Sequence, residues 1–387
     1  MLNLLWFLLP VAAAAGWFAA RRSGAARPEA FWDYASNFHE GLNVLLNERH
    51  GSPTDLFDSL SDTDRDTADT HIALGNLYRR RGDVERAILL HESLLEKAEL
   101  GDEVHASARL ALAHDYSSAG LLDRSEKALR DLIETGHRKG DAYKSLLQLH
   151  ERERDWGQAI SVAEDYQRET GDANSALVAH YYCELSAKAS DDGYREEART
   201  LLDKALSSDP QSARANIMIA ELALASGDAQ TAIDRYARVE QLRPDLMPET
   251  IEQRFDALCS SEDTTQLHTF VKHIRNQRNA YSVVRKTRDV IEQIDGRDAA
   301  DKFFKAQVLK RPSLKGLRDW VSDQVPLSRP GEREKVQVIL QLLDQVTEDK
   351  PTYQCSHCGF QGNVLHWRCP SCGTWDSVRT IIGVEGE

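Results

Sequence analysis

The sequence predicts an all-α protein: a solenoid of stacked helix pairs, with an apolar helix at its N-terminus and a small metal ribbon at its C-terminus. Three observations predict it. From about Tyr34 to Gln345 there is no sustained two-residue alternation of the kind a half-buried strand needs. Within that stretch a pattern of small and aromatic residues returns at irregular intervals of roughly 34 to 39 positions. Beyond it lie two Cys-x-x-Cys pairs, Cys355 with Cys358 and Cys369 with Cys372.

The first element is Met1 to Ala20, MLNLLWFLLPVAAAAGWFAA, which carries no charge and is followed at once by Arg21 and Arg22. At a rise of about 1.5 Å per residue it spans roughly 30 Å, the hydrocarbon thickness of a bilayer. A cleaved secretory signal is the competing reading, with Ala12 to Ala15 as its cleavage site. No Lys or Arg precedes the apolar run and two follow it, so the positive-inside rule makes it an anchor whose N-terminus faces out. Residues 21–33 then read as a juxtamembrane linker.

Residues 34–347 read as the repeat array. Its clearest unit is Ala68 to Leu100, with Leu74-Gly75, Tyr78, Gly82-Asp83 and Ala87. These residues resemble a tetratricopeptide repeat, an antiparallel helix pair in which small residues let the helices approach and large ones fill between them. Gly41 and Phe57 mark an earlier copy. Tyr116, Gly120 and Leu129 mark a later one, followed by Asp155-Trp156 with Ala159 and by Gly193-Tyr194 with Ala198 and Pro210. Gly227-Asp228, Ala232, Tyr236 and Pro244 repeat the pattern well. After Asp245 it fades, although Ala300, Phe304 and Pro312 suggest a last, degenerate unit. Stacked pairs of this kind line a groove with their first helices, and such grooves bind protein segments.

Side chains within the array give no catalytic constellation. His71, His91, His105, His114, His137 and His150 lack ligand spacing and read as surface or groove residues, while Tyr78, Tyr116 and Tyr236 read as helix packing. Cys183 and Cys259 read as small core residues. Basic clusters at Arg79-Arg80-Arg81 and from Lys272 to Arg288 read as solvated faces. There is no phosphate-binding glycine loop, no GxSxG elbow and no HExxH. A net charge of −14 argues against nonspecific nucleic-acid binding, since phosphate backbones are held by clustered Lys and Arg. With 28% charged and 41% hydrophobic residues, the composition of the 387-residue chain is that of an ordinary globular protein.

The last element is residues 351–387, where Cys355, Cys358, Cys369 and Cys372 are the candidate metal ligands. The turn in Cys-x-x-Cys lets both sulfurs point at one ion, and two such turns complete a tetrahedral shell. Each pair is followed by a glycine, Gly359 and Gly373, which suits a turn that closes with positive φ. Paired disulfides or a thioredoxin-like redox motif are the alternatives; a redox pair normally opens a helix, whereas Pro370 and the two glycines break helices. His357 and His366 lie close enough to substitute as ligands. Four thiolates leave no open position for water, which argues for a structural ion over a hydrolytic one. They accept either iron or zinc. The linker before the ribbon is short, so the ribbon is expected to dock on the last helices or to fold back onto the groove. Phe360, Leu365, Trp367 and Trp375 are the candidate docking residues.

An N-terminal anchor, tetratricopeptide repeats and the rubredoxin-like segment YQCSHCGFQGNVLHWRCPSCGTWDSVRTI, in that order, resemble the lipopolysaccharide assembly protein B family of Gram-negative bacteria, also called YciM. The resemblance covers essentially the whole chain. It implies a nonenzymatic adaptor of the inner membrane, with the N-terminus periplasmic and the bulk of the chain cytoplasmic. In that family the protein works with the protease FtsH to promote degradation of the deacetylase LpxC, which limits lipopolysaccharide synthesis, and LapA is an implied companion. The family's metal ligands match Cys355, Cys358, Cys369 and Cys372, with iron implied by the rubredoxin pattern and zinc the alternative. A homodimer is compatible with this architecture. The other functions compatible with the sequence are a rubredoxin-like electron-transfer protein and a general tetratricopeptide scaffold or cochaperone.

Overall fold

The structure, a computed structural model, describes residues 65–386 apart from positions 173, 262, 278, 349 and 385. The expected anchor, the juxtamembrane linker and the repeat marked by Gly41 and Phe57 lie outside the described residues. Among the described residues no helix is long and apolar enough to cross a membrane. The chain divides into two compact units between Arg138 and Lys139.

The described part of the first unit is two helix pairs: α1 (Arg65–Arg80) with α2 (Val84–Leu95), and α3 (Asp102–Ser118) with α4 (Leu122–Thr135). The chain reverses after α1 at Gly82, whose φ of +88° is a conformation that a side chain resists. Leu74, Tyr78 and Ala87 then pack between the two helices, and Ala68, Leu94, Leu100 and Ala108 form a second cluster. Ala87 is fully buried, which is the role of a small residue where two helices must approach closely.

Two of the histidines expected as surface or groove residues are instead interior in this unit. His91 is fully buried, with Nδ1 2.5 Å from Asp115 Oδ2 and Nε2 3.2 Å from the Ile72 carbonyl. His71 is buried with Nδ1 2.9 Å from the Thr67 carbonyl. Arg79, expected to be solvated, donates to the buried Asp115 at 2.7 Å. The physical reason is that polar side chains enter a helix-pair core when acceptors meet them there. Tyr78 is core as expected; Tyr116 is half-buried and donates to Glu92 at 2.8 Å.

The His91 ring lies flat against Gly75, where an added Cβ would stand 2.4 Å from Nε2. Gly75→Ala is therefore expected to destabilise the first unit by about 2 kcal/mol, the usual range for overpacking. Thermal melts of Gly75→Ala beside Gly75→Ala/His91→Ala test this: the second change should recover part of the loss, and additive losses would refute the clash.

The second unit continues with α5 (Lys139–Glu153), α6 (Trp156–Thr170), α7 (Ser175–Asp191), α8 (Arg195–Ser208), α9 (Ala213–Ala225) and α10 (Ala229–Leu242). It is extended by α11 (Met247–Ser260), α12 (Thr264–Asn276), α13 (Tyr281–Asp295), α14 (Arg297–Lys310), α15 (Leu314–Gln324) and α16 (Pro330–Thr347). Capping is local and legible: Asp155, Ser212, Asp228 and Ser313 each accept a backbone N–H from the first turn of the helix that follows. Tyr236 is core, as expected. Pairing persists after Asp245, where the repeat pattern fades. Phe255 of α11 and Phe270 of α12 meet at 5.3 Å between ring centroids, within a core that also holds Ile274, Val283, Ile291 and Phe304.

In the basic stretch from Lys272 to Arg288, Lys272, Arg275 and Arg285 are exposed, as expected of a solvated face, while Arg275 pairs with Asp295, Lys286 with Asp256, and Arg288 with Asp301 and Asp323. Two further readings are corrected here. Cys183 is buried in α7, and burial pushes its thiol up to about 12, but Cys259 is exposed on the outward face of α11. His150 is buried, not a surface residue.

The chain ends in a three-stranded antiparallel sheet, β1 (Tyr353–Cys355), β2 (Gln361–Gly362) and β3 (Val378–Thr380), in the order β2-β1-β3. Tyr353 pairs with Gly362 on one side and Thr380 on the other, and Cys355 pairs with Val378.

Candidate metal centre

β1 delivers Cys355, and the turn after it delivers Cys358. Gly359 closes that turn at φ +78°, with its N–H on the Cys355 carbonyl at 3.0 Å. The second turn is built alike: Gly373 has φ +71° and donates to the Cys369 carbonyl at 2.9 Å. The four sulfurs all lie within 4.8 Å of one another. Cys355 Sγ is 3.8 Å from Cys372 Sγ, and Cys358 Sγ is 3.7 Å from Cys369 Sγ. A disulfide needs about 2.05 Å, so the paired-disulfide alternative fails. A tetrahedron of sulfurs about 2.3 Å from a central ion has edges near 3.8 Å, so the donor set and spacing fit one metal ion. No helix begins at either pair, which also removes the thioredoxin-like geometry.

The surroundings favour thiolate at two of the sulfurs. The Cys372 thiol is lowered by hydrogen bonding with the Thr374 hydroxyl and backbone, and that of Cys355 by the Ser377 hydroxyl, with further help from backbone amides that include His357 N–H at 3.4 Å. Burial pushes Cys369 the other way. His357 and His366 are not part of the four-residue cluster.

The ribbon folds back onto the first helices of successive pairs, and beyond β3 the Val384 carbonyl accepts the Leu314 N–H at the start of α15 at 2.8 Å. Trp375 carries most of the contact. Its ring stacks on His180 of α7 at 5.0 Å and meets Trp156 and Tyr181 edge-on, each at 6.0 Å. Its Nε1 donates to Glu151 Oε1 at 2.8 Å, and Arg368 Nη2 donates to Glu151 Oε2 at 2.9 Å. Leu365 and Trp367 pack on Ala213, Val239 and Leu246, and the Arg214 guanidinium lies 5.8 Å from the Trp367 ring. At the far edge Arg243 pairs with Asp376 at 2.8 Å, and Tyr353 donates to Glu249 at 2.5 Å. Three of the four expected docking residues are therefore at the interface, while Phe360 packs inside the ribbon. The receiving residues Glu151, His180, Tyr181, Arg214 and Arg243 were not legible. Only Trp156 carried a signal, as a repeat marker.

Comparison with known proteins agrees with this architecture. The rubredoxin metal binding domain family matches residues 353–380, and tetratricopeptide repeat families match residues 70–103 and 191–249. The lipopolysaccharide assembly protein B of Escherichia coli K12 is 34% identical over 391 residues, covering 100% of both chains. The chain belongs to the lipopolysaccharide assembly protein B family. The Haemophilus influenzae protein of the same name is 28% identical over 396 residues, again across 100% of both chains. A MamA structure from Desulfovibrio magneticus RS-1 covers 46% of this chain and 96% of its own at 16% identity, but its TM-score of 0.31 supports no detail of the fold. Membership of the lipopolysaccharide assembly protein B family supports a role in lipopolysaccharide assembly, with one metal ion in the four-cysteine site.

One titration follows from the docking. Burial first, and then the neighbouring Arg214, lower His180 from 6.5 to about 4, so the docked face holds it neutral. Between those values the unfolded chain binds the extra proton. Stability is therefore full above about pH 6.5 and falls as pH drops toward 4, by about 3 kcal/mol over the window. Urea melts at pH 7.5 and pH 5 should differ for the wild type and converge for His180→Leu; an unchanged pH dependence in that variant would reject the assignment.

Proposed function

We propose that this chain is a nonenzymatic, membrane-anchored adaptor that limits lipopolysaccharide synthesis by presenting LpxC to FtsH, with LapA as a companion. The observation that carries the reading is the full-length 34% identity to a lipopolysaccharide assembly protein B, joined to a site of four thiols, Cys355, Cys358, Cys369 and Cys372, to which the described residues add no fifth donor. Cys355, Cys358, Cys369 and Cys372 would hold the ion, and that ion's contribution is folding free energy for the ribbon.

The residues at the interface support a binding role. A docked ribbon gives the repeat face a fixed shape, and a cleft of about 1100 Å³ stays open beside it, lined by Lys144, Gln148, Asn174, Asp209 and Trp367 among others. Its mixed charge suits a protein segment better than a phosphate backbone. Anchoring by Met1 to Ala20 in the inner membrane, N-terminus periplasmic, would confine that cleft to the surface where a membrane protease works.

The test is recovery of the anchored protein from its own membranes beside a Cys369→Ser/Cys372→Ser variant, with LpxC followed in the same cells. Recovery of FtsH with the wild type and accumulation of LpxC in the variant are expected. Absence of FtsH together with unchanged LpxC would refute the adaptor reading.

A further inference from the structure

We propose that the cavity between α10 and α12 is a ligand site for an amphipathic carboxylate, an apolar body carrying one carboxylate head. The proposal is independent of the metal site and of the adaptor reading. Its ground is a break in the packing of the helix pairs. Four residues past the N-cap, the second helix of each earlier pair sets a small side chain against its partner: Ala87, Ser125, Ala159, Ala198 and Ala232, each at most 1% exposed. In α12, whose N-cap is Asp263, that position is Leu267. The larger side chain holds α12 off α11, and these two helices pack less extensively than the other pairs do. The space left among α10, α11, α12 and α13 is a cavity of about 940 Å³, within the range of about 300–1,000 Å³ that small-ligand sites occupy.

The walls and the polar groups select the ligand. Ile233, Met247, Leu258, Phe270, Val283 and Ile382 line the cavity with apolar surface. Three carboxylates also line it, and each is already held within the fold. Glu240 accepts Arg254 Nη1 at 2.6 Å on one oxygen and His273 Nε2 at 2.9 Å on the other. Asp245 takes Arg243 on both oxygens, at 2.8 and 2.7 Å, and Asp263 accepts the Thr265 N–H at 2.9 Å and Gln266 Nε2 at 3.3 Å. What is left without a partner is the edge of a cation. Arg254 is 8% exposed, its guanidinium carbon stands 3.8 Å from the centre of the Phe270 ring, and neither Nε nor Nη2 makes a hydrogen bond among the described residues. A guanidinium so buried needs a further acceptor, and a charge-assisted bond from Nη2 to a carboxylate supplies one. Arg311 adds a second guanidinium to the lining. A cationic head would face both of them, and a purely apolar molecule would leave the Arg254 edge unmet.

The experiment is alkylation of a cysteine placed on the cavity wall, Thr269→Cys on α12, in a Cys259→Ser background that removes the exposed native thiol. The full chain is held in lipid nanodiscs, and modification by iodoacetamide is read at residue 269 by peptide mapping. Dodecanoate and dodecanol, which share one apolar chain and differ in the head, are expected to slow it. Arg254→Lys keeps a cation beside Glu240 and removes the open edge. It should raise the half-protecting concentration of dodecanoate about tenfold, the worth of one charge-assisted bond, and leave that of dodecanol unchanged. The same bilayer takes up each probe equally for both proteins, so the comparison is one of sites. Ala237→Trp fills the cavity from the α10 wall and should abolish protection by both probes. Absence of protection by dodecanoate would overturn the proposal. So would protection by dodecanoate that Arg254→Lys leaves untouched, which would mark an apolar hollow without head recognition, or protection that survives Ala237→Trp.

Discussion

A chain carrying Cys369→Ser is expected to keep its helices and lose its ribbon. Cys369 is 1% exposed and sits in the ribbon's small core with Tyr353, Cys355 and Val378. Three strands of two or three residues cannot bury enough surface to fold by themselves, so the ion must contribute most of the free energy, on the order of 10 kcal/mol for structural four-ligand sites. Serine replaces a thiolate that the ion binds strongly with a hydroxyl that it binds weakly. Bound metal should fall from one per chain toward none, measured by mass spectrometry of the native protein. Protease cleavage should appear between residues 353 and 380, while the far-UV helical signal changes little, since the repeat cores contain no ribbon residue in α11 to α14. A chelator should do the same to the wild type, and faster as pH falls, because protons compete for the sulfurs. Unchanged metal content in the Cys369→Ser chain would show that the four thiols are not one site.

Most of this centre was legible because its determinants are local. Cysteine spacing and a following glycine specify a knuckle whatever lies around it, and Gly359 and Gly373 adopt the positive φ that their position suggested. The helix pairs were legible for the same reason as far as Pro244, where a glycine at positive φ (Gly82, Gly120, Gly193, Gly227) or a capping carboxylate (Asp155, Asp228) marks the turn within each pair. Past Asp245 the turn residues vary, and pairing there rests on contacts such as Phe255 with Phe270, whose partners are not fixed by spacing. The docking face was the least legible. Glu151 belongs to the run His150-Glu151-Arg152-Glu153-Arg154, which by composition is a solvated helix end, yet it is 6% exposed. Its burial is imposed by Trp375 and Arg368, more than two hundred positions away, and no local signal encodes that. The buried His91 was misread for a similar reason, since its acceptor Asp115 lies on a different helix pair.

Glu151→Ala is expected to release an intact ribbon from the repeats. The Glu151 carboxylate accepts Tyr181 Oη–H at 2.7 Å and Trp375 Nε1–H at 2.8 Å on one oxygen, and Arg368 at 2.9 Å on the other. Removing it leaves three donors, one of them a guanidinium, facing an apolar wall of Trp156 and Tyr181. Breaking a buried pair from one side typically costs about 3–5 kcal/mol, and the 32% exposure of the Arg368 side chain puts this loss toward the lower end of that range. Glu151→Gln should lose less, because its carbonyl oxygen can still accept from Tyr181 and Trp375 while its amide faces Arg368 unfavourably. Hydrogen exchange of the α7 and α9 backbone, with the emission of Trp375 as a second signal, would register the release in the order alanine, glutamine, wild type. Metal content separates this variant from the cysteine one: the thiolates hold the ion without help from the repeats, so Glu151→Ala should stay fully loaded. Loss of the ion together with docking would mean that the ribbon needs the repeat face in order to fold. Full protection of α7 in the alanine variant would mean that the apolar contacts of Trp375 and Trp367 hold the ribbon without this carboxylate.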